Sequence, residues 1–319
     1  MNYPLLLSAP LKDYIWGGTK LRDEYGFSSE ADRIAEAWVL SCHKDGASVV
    51  RNGVYAGKTL PEAIAAMGKE CLGERAAAFP YFPLLIKLID AKDRLSVQVH
   101  PDDEYALKNE GEYGKTEMWY VVDCEKDARL IYGFNREIDK AEFARRIKDN
   151  TLTEVCNYVP VKKGDVFFIS AGTLHAIGKG ILIAEIQQNS NTTYRVSDYG
   201  RLGADGKPRP LHIDKALSVA KTAPPTEEYG QIGEIREYPF GRVRSLASCS
   251  KFTSSLLSLE GTAALSADGS FQSVLVLDGE AVLSYADGCF RIKRGDCVFV
   301  PAGMRITLSG CAEIITAEV

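Results

Sequence analysis

Residues 164–175 read GDVFFISAGTLH, and residues 295–306 read GDCVFVPAGMRI. The two stretches align without a gap: Gly164 on Gly295, Asp165 on Asp296, Gly172 on Gly303 and His175 on Ile306. Each is a short apolar run entered by a Gly-Asp turn and left by an Ala-Gly turn, where glycine supplies backbone freedom that other residues lack. The pattern predicts one β unit used twice. Its first copy ends on a histidine and its second on an isoleucine, as expected if the second kept the fold and lost a metal.

The sequence around the second copy has the same character. FTSSLLSLE, FQSVLVLDG, EAVLSYADG, CFRIKRG, RITLSG and AEIITAEV are apolar-rich runs broken by turn residues roughly every eight to twelve positions, the rhythm of an all-β sandwich or barrel. Upstream, residues 221–233 contain Pro224-Pro225 and two glutamates, a polar stretch that reads as a linker. The first two thirds mix strand candidates (FPLLIKLIDA, LSVQVH, EMWYVVD, ARLIYGF, DVFFIS, ILIAEIQ) with three helical patterns over 61–79, 102–110 and 139–150. The expected fold is mainly β. A first barrel with a helical insertion spans residues 1–222, a linker 223–234, and a smaller, metal-free barrel 235–319.

Bulk properties limit the function. At 319 residues the chain is long enough for two domains. A net charge of -5 gives no basic field for nucleic acid or anionic lipid, so an anionic substrate needs a local cluster of Lys and Arg. No apolar run reaches the ~18 residues of a membrane span, and the N-terminus lacks a secretory pattern. The eight cysteines form no CxxC pair and read as reduced thiols of a cytoplasmic protein.

There are four histidines. In LSVQVH, Ser96, Gln98 and His100 alternate with Leu95, Val97 and Val99, which puts three polar groups on one strand face. Such a trio costs desolvation unless something inside the fold satisfies it. His175 follows the GDVFFIS strand, and Glu117 heads EMWYVVD with Lys115 on the same face. Two His, a Glu and a Gln offer nitrogen and oxygen donors suited to a divalent metal such as zinc.

The strand–turn–histidine pattern resembles the second motif of the cupin superfamily, with Ser170 where proline is usual. IWGG (15–18), FPLLIKLIDA (82–91), LSVQVHPDD (95–103), GKTEMWYV (114–121), AGTLHAIG (171–178) and NSNTTYRVSDYGR (189–201) run in order, and together they resemble type I mannose-6-phosphate isomerases in their short bacterial form. That resemblance implies two cupin-like jelly-roll domains and a zinc-dependent exchange of mannose 6-phosphate with fructose 6-phosphate. It maps metal ligands onto Gln98, His100, Glu117 and His175, with one Zn2+ per chain. Arg195, Lys115 and Glu185 take catalytic positions, and Ser96 and Lys87 join Arg195 and Lys115 in binding the substrate. An aldose–ketose exchange needs a proton carrier and positive charge near developing oxyanions. Glu185 and a lysine with a burial-lowered pKa both remain open for the proton carrier. One departure is Asn191, where related enzymes carry an acid four positions before the arginine; an amide cannot ionise.

The remaining candidates take plain readings. His43 and His212 read as structural, Trp16, Trp38 and Trp119 as packing residues, and Lys140, Arg145, Arg146 and Lys148 as a solvated helix face. Asp198 reads as a partner for Arg195 or a loop residue. The partners implied are a phosphorylated hexose, with the chain a monomer or weak homodimer. Two other functions compete: a metal-dependent cupin oxygenase, which a Gln ligand and three nearby cations argue against, and a non-catalytic sugar-binding protein.

Overall fold

The computed structural model describes residues 2–203 and 206–319. Among these the fold is mainly β, built from a nine-stranded, a six-stranded, a five-stranded and a two-stranded sheet. The larger sheets stack as open layers; the closed barrels expected from the strand rhythm are not formed. No helix is long and apolar enough to cross a membrane.

The six-stranded sheet runs in the order Val166–Ile169, Glu117–Cys124, Ile181–Gln188, Leu84–Ala91, Glu36–Leu40, Leu11–Lys12. The five-stranded sheet runs Cys156–Pro160, Arg129–Phe134, His175–Ala176, Val97–Val99, Tyr194–Ser197. Ile89, Trp119, Val121, Phe167 and Ile183 of the first pack against Leu130, Tyr132 and Val159 of the second. Behind the five-stranded sheet, the helices Lys140–Lys148 and Ile213–Val219 pack Phe143, Ile147 and Ala216 onto Val97, Val99 and Ile131.

Every residue of Leu84–Ala91 and Ile181–Gln188 is buried, because both faces of this sheet are covered. The outer face carries Ile86, Leu88, Met118, Tyr120, Ala184 and Ile186. It packs on Leu256, Phe271, Leu275, Phe299 and Ile315 of the nine-stranded sheet. The nine-stranded sheet is therefore the second wall of the core behind the six-stranded sheet, a role the sequence left open.

The repeat of 164–175 in 295–306 is reproduced in its entry turn and in its strand register. Gly164 and Gly295 both have φ 88°, a left-handed conformation that suits glycine. Asp165 accepts the amide of Lys162 at 2.9 Å, and Asp296 that of Lys293 at 3.0 Å. Ile169 pairs with Glu117 in one copy and Val300 with Gln272 in the other. Gln272 thus stands where the first copy has Glu117.

Two expectations are corrected, and two contacts tie the expected units together. Five of the six short C-terminal runs form three long strands, Thr253–Ser266, Gln272–Tyr285 and Arg305–Glu318, and CFRIKRG forms its own, Gly288–Lys293. Their internal glycines bend strands instead of ending them; Gly279, with φ 72°, follows a register shift between Val276 and Asp278. The 61–79 stretch is not one helix. Thr59 and Glu62 form a capping box at the start of Leu60–Met67, then Gly68, with φ 96°, stops it before a short 3-10 turn and Gly73–Ala77. The strand Leu5–Ser8, although within residues 1–222, pairs with Cys297–Val300 of the C-terminal sheet. Within residues 223–234, Tyr229 stacks on Phe167 at 5.4 Å, and Gly230 bridges Val166.

Candidate active site

The Val97–Val99 strand lies between two others, so Gln98 pairs with His175 on one side and Arg195 on the other. Residues paired across a sheet share a face, and these three point toward the six-stranded sheet. There the register sets Glu185 opposite both Lys87 and Trp119, with Glu117 two residues along the Trp119 strand. Period-two alternation thus brings donors from two facing sheets into one space.

His100, Glu117 and His175 are fully buried, and their ligand atoms all lie within 4.8 Å of one another. His100 Nδ1 faces the Thr192 carbonyl at 2.9 Å and His175 Nδ1 the Thr173 carbonyl at 2.8 Å. A carbonyl only accepts, so the proton sits on Nδ1 and each Nε2 presents a lone pair. The two Nε2 atoms are 3.1 Å apart, and Gln98 Nε2 is 3.3 Å from that of His175. Burial holds His175 down to about 3 and His100 well below the usual imidazole range, keeping both rings neutral.

Glu117 Oε1 lies 3.4 Å from His175 Nε2, is buried and takes no hydrogen bond among the described residues. Burial, followed by the nearby Glu185 charge, pushes Glu117 above the usual carboxylate range. An orphaned carboxylate oxygen beside two converging imidazole lone pairs fits a divalent cation, which would favour the charged carboxylate. The expected donor set is therefore together in space.

Lys115 Nζ donates to Glu117 Oε2 at 2.5 Å and lies 3.2 Å from His100 Nε2 and 3.7 Å from Glu185 Oε1. Glu185 Oε1 accepts the Trp119 indole N–H at 2.9 Å, and its Oε2 is 3.3 Å from Lys87. Burial works against the Glu185 charge, but Lys115 and Lys87 hold it below the ordinary range. Burial also opposes charge on Lys87, yet Glu36 and Glu185 hold its pKa above the ordinary lysine value. A burial-lowered base is therefore not Lys87.

Glu36, Lys87, Gln98, Lys115 and Glu185 border a cavity of about 280 Å³ that also takes in Trp16, Ser96, Asn191, Arg195 and Arg209, and His100, Glu117 and His175 lie against its Lys115 and Gln98. A larger space, about 460 Å³, lies between the six- and nine-stranded sheets, with Tyr120 and Arg244 in its walls. It holds none of the converging donors, and the smaller cavity is where chemistry is possible.

Other residues are now placed. Asp198 does not pair with Arg195; it accepts from Arg201 and Arg209. Asn191 donates to Asp45 at 2.8 Å. His212 stands before the Ile213–Val219 helix and bonds the backbone of Arg195, and His43 is buried against Trp38. Arg146 is not a free surface cation but pairs with Glu142 and Glu154. Two charged cavity residues escaped sequence reasoning. Glu36, 3.7 Å from Lys87, had a signal, being one acid in the apolar run IAEAWVL. Arg209, between two prolines, had none.

Known proteins resemble this chain over its length. The family model for the phosphomannose isomerase type I catalytic domain matches residues 5–127, and that for the mannose-6-phosphate isomerase cupin domain matches 243–319. The chain is 40% identical over 317 residues to mannose-6-phosphate isomerase ManA of Bacillus subtilis, covering 99% of this chain and 98% of the relative. It is 38% identical over 322 residues to mannose-6-phosphate isomerase of Streptococcus mutans, covering 100% and 99%. A crystal structure of mannose 6-phosphate isomerase from Bacillus subtilis superimposes with a TM-score of 0.91 at 36% identity, each chain covered in full.

Proposed function

The chain belongs to the type I mannose-6-phosphate isomerases and is an isomerase, and we propose that it interconverts mannose 6-phosphate and fructose 6-phosphate through an enediolate with one zinc ion per chain. The observation that carries this reading is the pair of neutral imidazoles and the orphaned Glu117 oxygen converging beside a cavity with four cationic side chains in its wall.

Gln98, His100, Glu117 and His175 would hold the zinc. When bound, it would polarise the sugar carbonyl and orient the neighbouring hydroxyl. Glu185 remains ionised between Lys87 and Lys115 and is assigned the transfer of a proton from C2 of the open-chain aldose to C1. The hydroxyl proton moves to the former carbonyl oxygen in the same exchange. Lys115 supplies positive charge as the enediolate oxygens become negative. Lys87, locked between two carboxylates, fixes Glu185 and, with Ser96, borders the substrate. Arg195, opposite Gln98, binds the anionic end.

The same reading takes residues 1–222 as the catalytic unit, 223–234 as a connector and 235–319 as a metal-free cupin-like unit, in a cytoplasmic monomer or weak homodimer. The decisive experiment is a coupled assay with mannose 6-phosphate before chelation, after it, and after zinc return. Activity should vanish and come back. Full metal occupancy without fructose 6-phosphate formation would defeat the proposal.

A further inference from the structure

The cations bordering the 280 Å³ cavity are not equivalent. Lys87 lies within 3.7 Å of Glu36 and Glu185, and Lys115 within 3.7 Å of Glu117 and Glu185. Both charges are already balanced inside the protein. Arg195 has no carboxylate partner among the described residues. Its Nη1 donates to the Pro210 carbonyl at 3.0 Å, and its buried Nε has no acceptor among the described residues. Asp198 is shared instead by Arg209, through Nε at 2.7 Å and Nη2 at 2.6 Å, and by Arg201 at 2.6 Å.

Charge bookkeeping follows from these contacts. Asp198 serves both Arg201 and Arg209, and Arg201 also lies 3.7 Å from Asp93, so Arg195 is the guanidinium of this group without a carboxylate among the described residues. Arg195 and Arg209 both stand in the cavity wall, and their like charges repel unless an anion joins them. A phosphate monoester carries about -1.5 to -2 at neutral pH. Arg209 spends Nε and Nη2 on Asp198, and this leaves the Nη1 hydrogens available. Asp198 grips Arg209 in a two-pronged contact that fixes the plane of the guanidinium.

Resting on the isomerase reading, we propose that Arg209 is a specificity residue that clamps the substrate phosphate together with Arg195, and that Asp198 is the positioning residue that aims it. The carbon chain then extends from this end toward His100, Glu117 and His175. The clamp selects phosphorylated over neutral hexose, and the balanced lysines are left to the reacting end.

The test compares wild type with Arg209→Ala, Arg209→Lys and Arg201→Ala. Arg201 shares Asp198 but does not border the cavity, so it controls for loss of a merely structural ion pair. Loss of a charge-assisted contact to phosphate weakens binding by about tenfold to a hundredfold. Arg209→Ala should raise KM for mannose 6-phosphate by that factor with kcat within about threefold. The Ki of inorganic phosphate as a competitive inhibitor should rise in parallel. Arg209→Lys should fall between, and Arg201→Ala should stay within about twofold. KM and phosphate Ki unchanged in Arg209→Ala, or raised equally in Arg201→Ala, would overturn the clamp. If Arg209→Ala does not fold, Arg209→Lys decides by the same constants, and wild-type affinity there overturns it. Calorimetric binding of inorganic phosphate to each variant reads the clamp without turnover. A wild type with no isomerase activity would therefore sink the isomerase reading alone, while the calorimetry still judges Arg209.

Discussion

The Nε2 atoms of His100 and His175 approach to 3.1 Å, each ring turned by a hydrogen bond from its Nδ1 to a backbone carbonyl. The carbonyls belong to Thr192 and Thr173, so two loops fix the tautomer of both rings before any ion is involved. Outer contacts of this kind orient metal-binding histidines and raise their basicity.

Removing one ring should separate the metal from the rest of the site. His175→Ala deletes one of the converging donors and is expected to lose zinc and activity together. Arg195→Ala removes none of the donors and should keep its zinc while kcat/KM drops by about a hundredfold. Metal content by mass spectrometry beside the coupled assay checks both, and a His175→Ala protein with full zinc would refute the ligand assignment.

Trp119 gives a finer test, because its indole N–H holds Glu185 Oε1 at 2.9 Å while its ring packs edge-on to His175. Trp119→Phe keeps an aromatic ring and deletes the donor. A lost hydrogen bond to a charged group costs about 1.5–3 kcal/mol, so kcat should fall at least about tenfold with zinc content unchanged. Wild-type kcat would mean that Glu185 does not depend on this contact for its position or charge.

Much of this was legible in the sequence because strands impose period two. Ser96-x-Gln98-x-His100 had to share a face, and Gly-Asp entering an apolar run had to start a strand. The metal set followed from that alternation and from the resemblance. What failed was whatever depends on pairing across long chain distances. Gly261, Gly279 and Gly310 look like turn residues, yet each lies inside a strand whose partner continues past it. Leu5–Ser8 reads as any edge strand, and its partner nearly three hundred residues away has no local signal. Asp198 is three residues from Arg195, but the fold gives it to Arg209 and Arg201 instead.

The thiols make a pH prediction. Burial pushes Cys71 up to about 11 and Cys156 up to about 12, while Cys289 and Cys311 are exposed. The thiolate is the reacting form, so iodoacetamide at pH 8 should label Cys289 and Cys311 and reach Cys71 and Cys156 only in denaturant. A folded-state pKa raised above the unfolded value of 9.0 gives stability that is present below pH 9 and lost as pH climbs toward the folded value. The urea midpoint should decline from pH 9 to 11, and less steeply in Cys156→Ala. Rapid labelling of Cys156 in the folded protein would contradict this.

The repeated unit permits a last test of why one copy binds metal and the other does not. Ile306 occupies the place of His175, and Gln272 that of Glu117, by the same strand register. Ile306 is buried with Leu283, Val298 and Leu308, an apolar setting with no second imidazole. Restoring the histidine alone therefore restores one donor among hydrocarbons. Ile306→His should bind no second zinc and should lose about 2–4 kcal/mol of stability from the lost packing and the buried polar ring. Activity per folded molecule should be unchanged, since the substitution lies beyond the nine-stranded sheet's contact with the catalytic half. Zinc titration and urea unfolding measure the two effects. A stoichiometry of two zinc ions per chain would show that the second copy kept a hidden ligand set, contrary to the register drawn here.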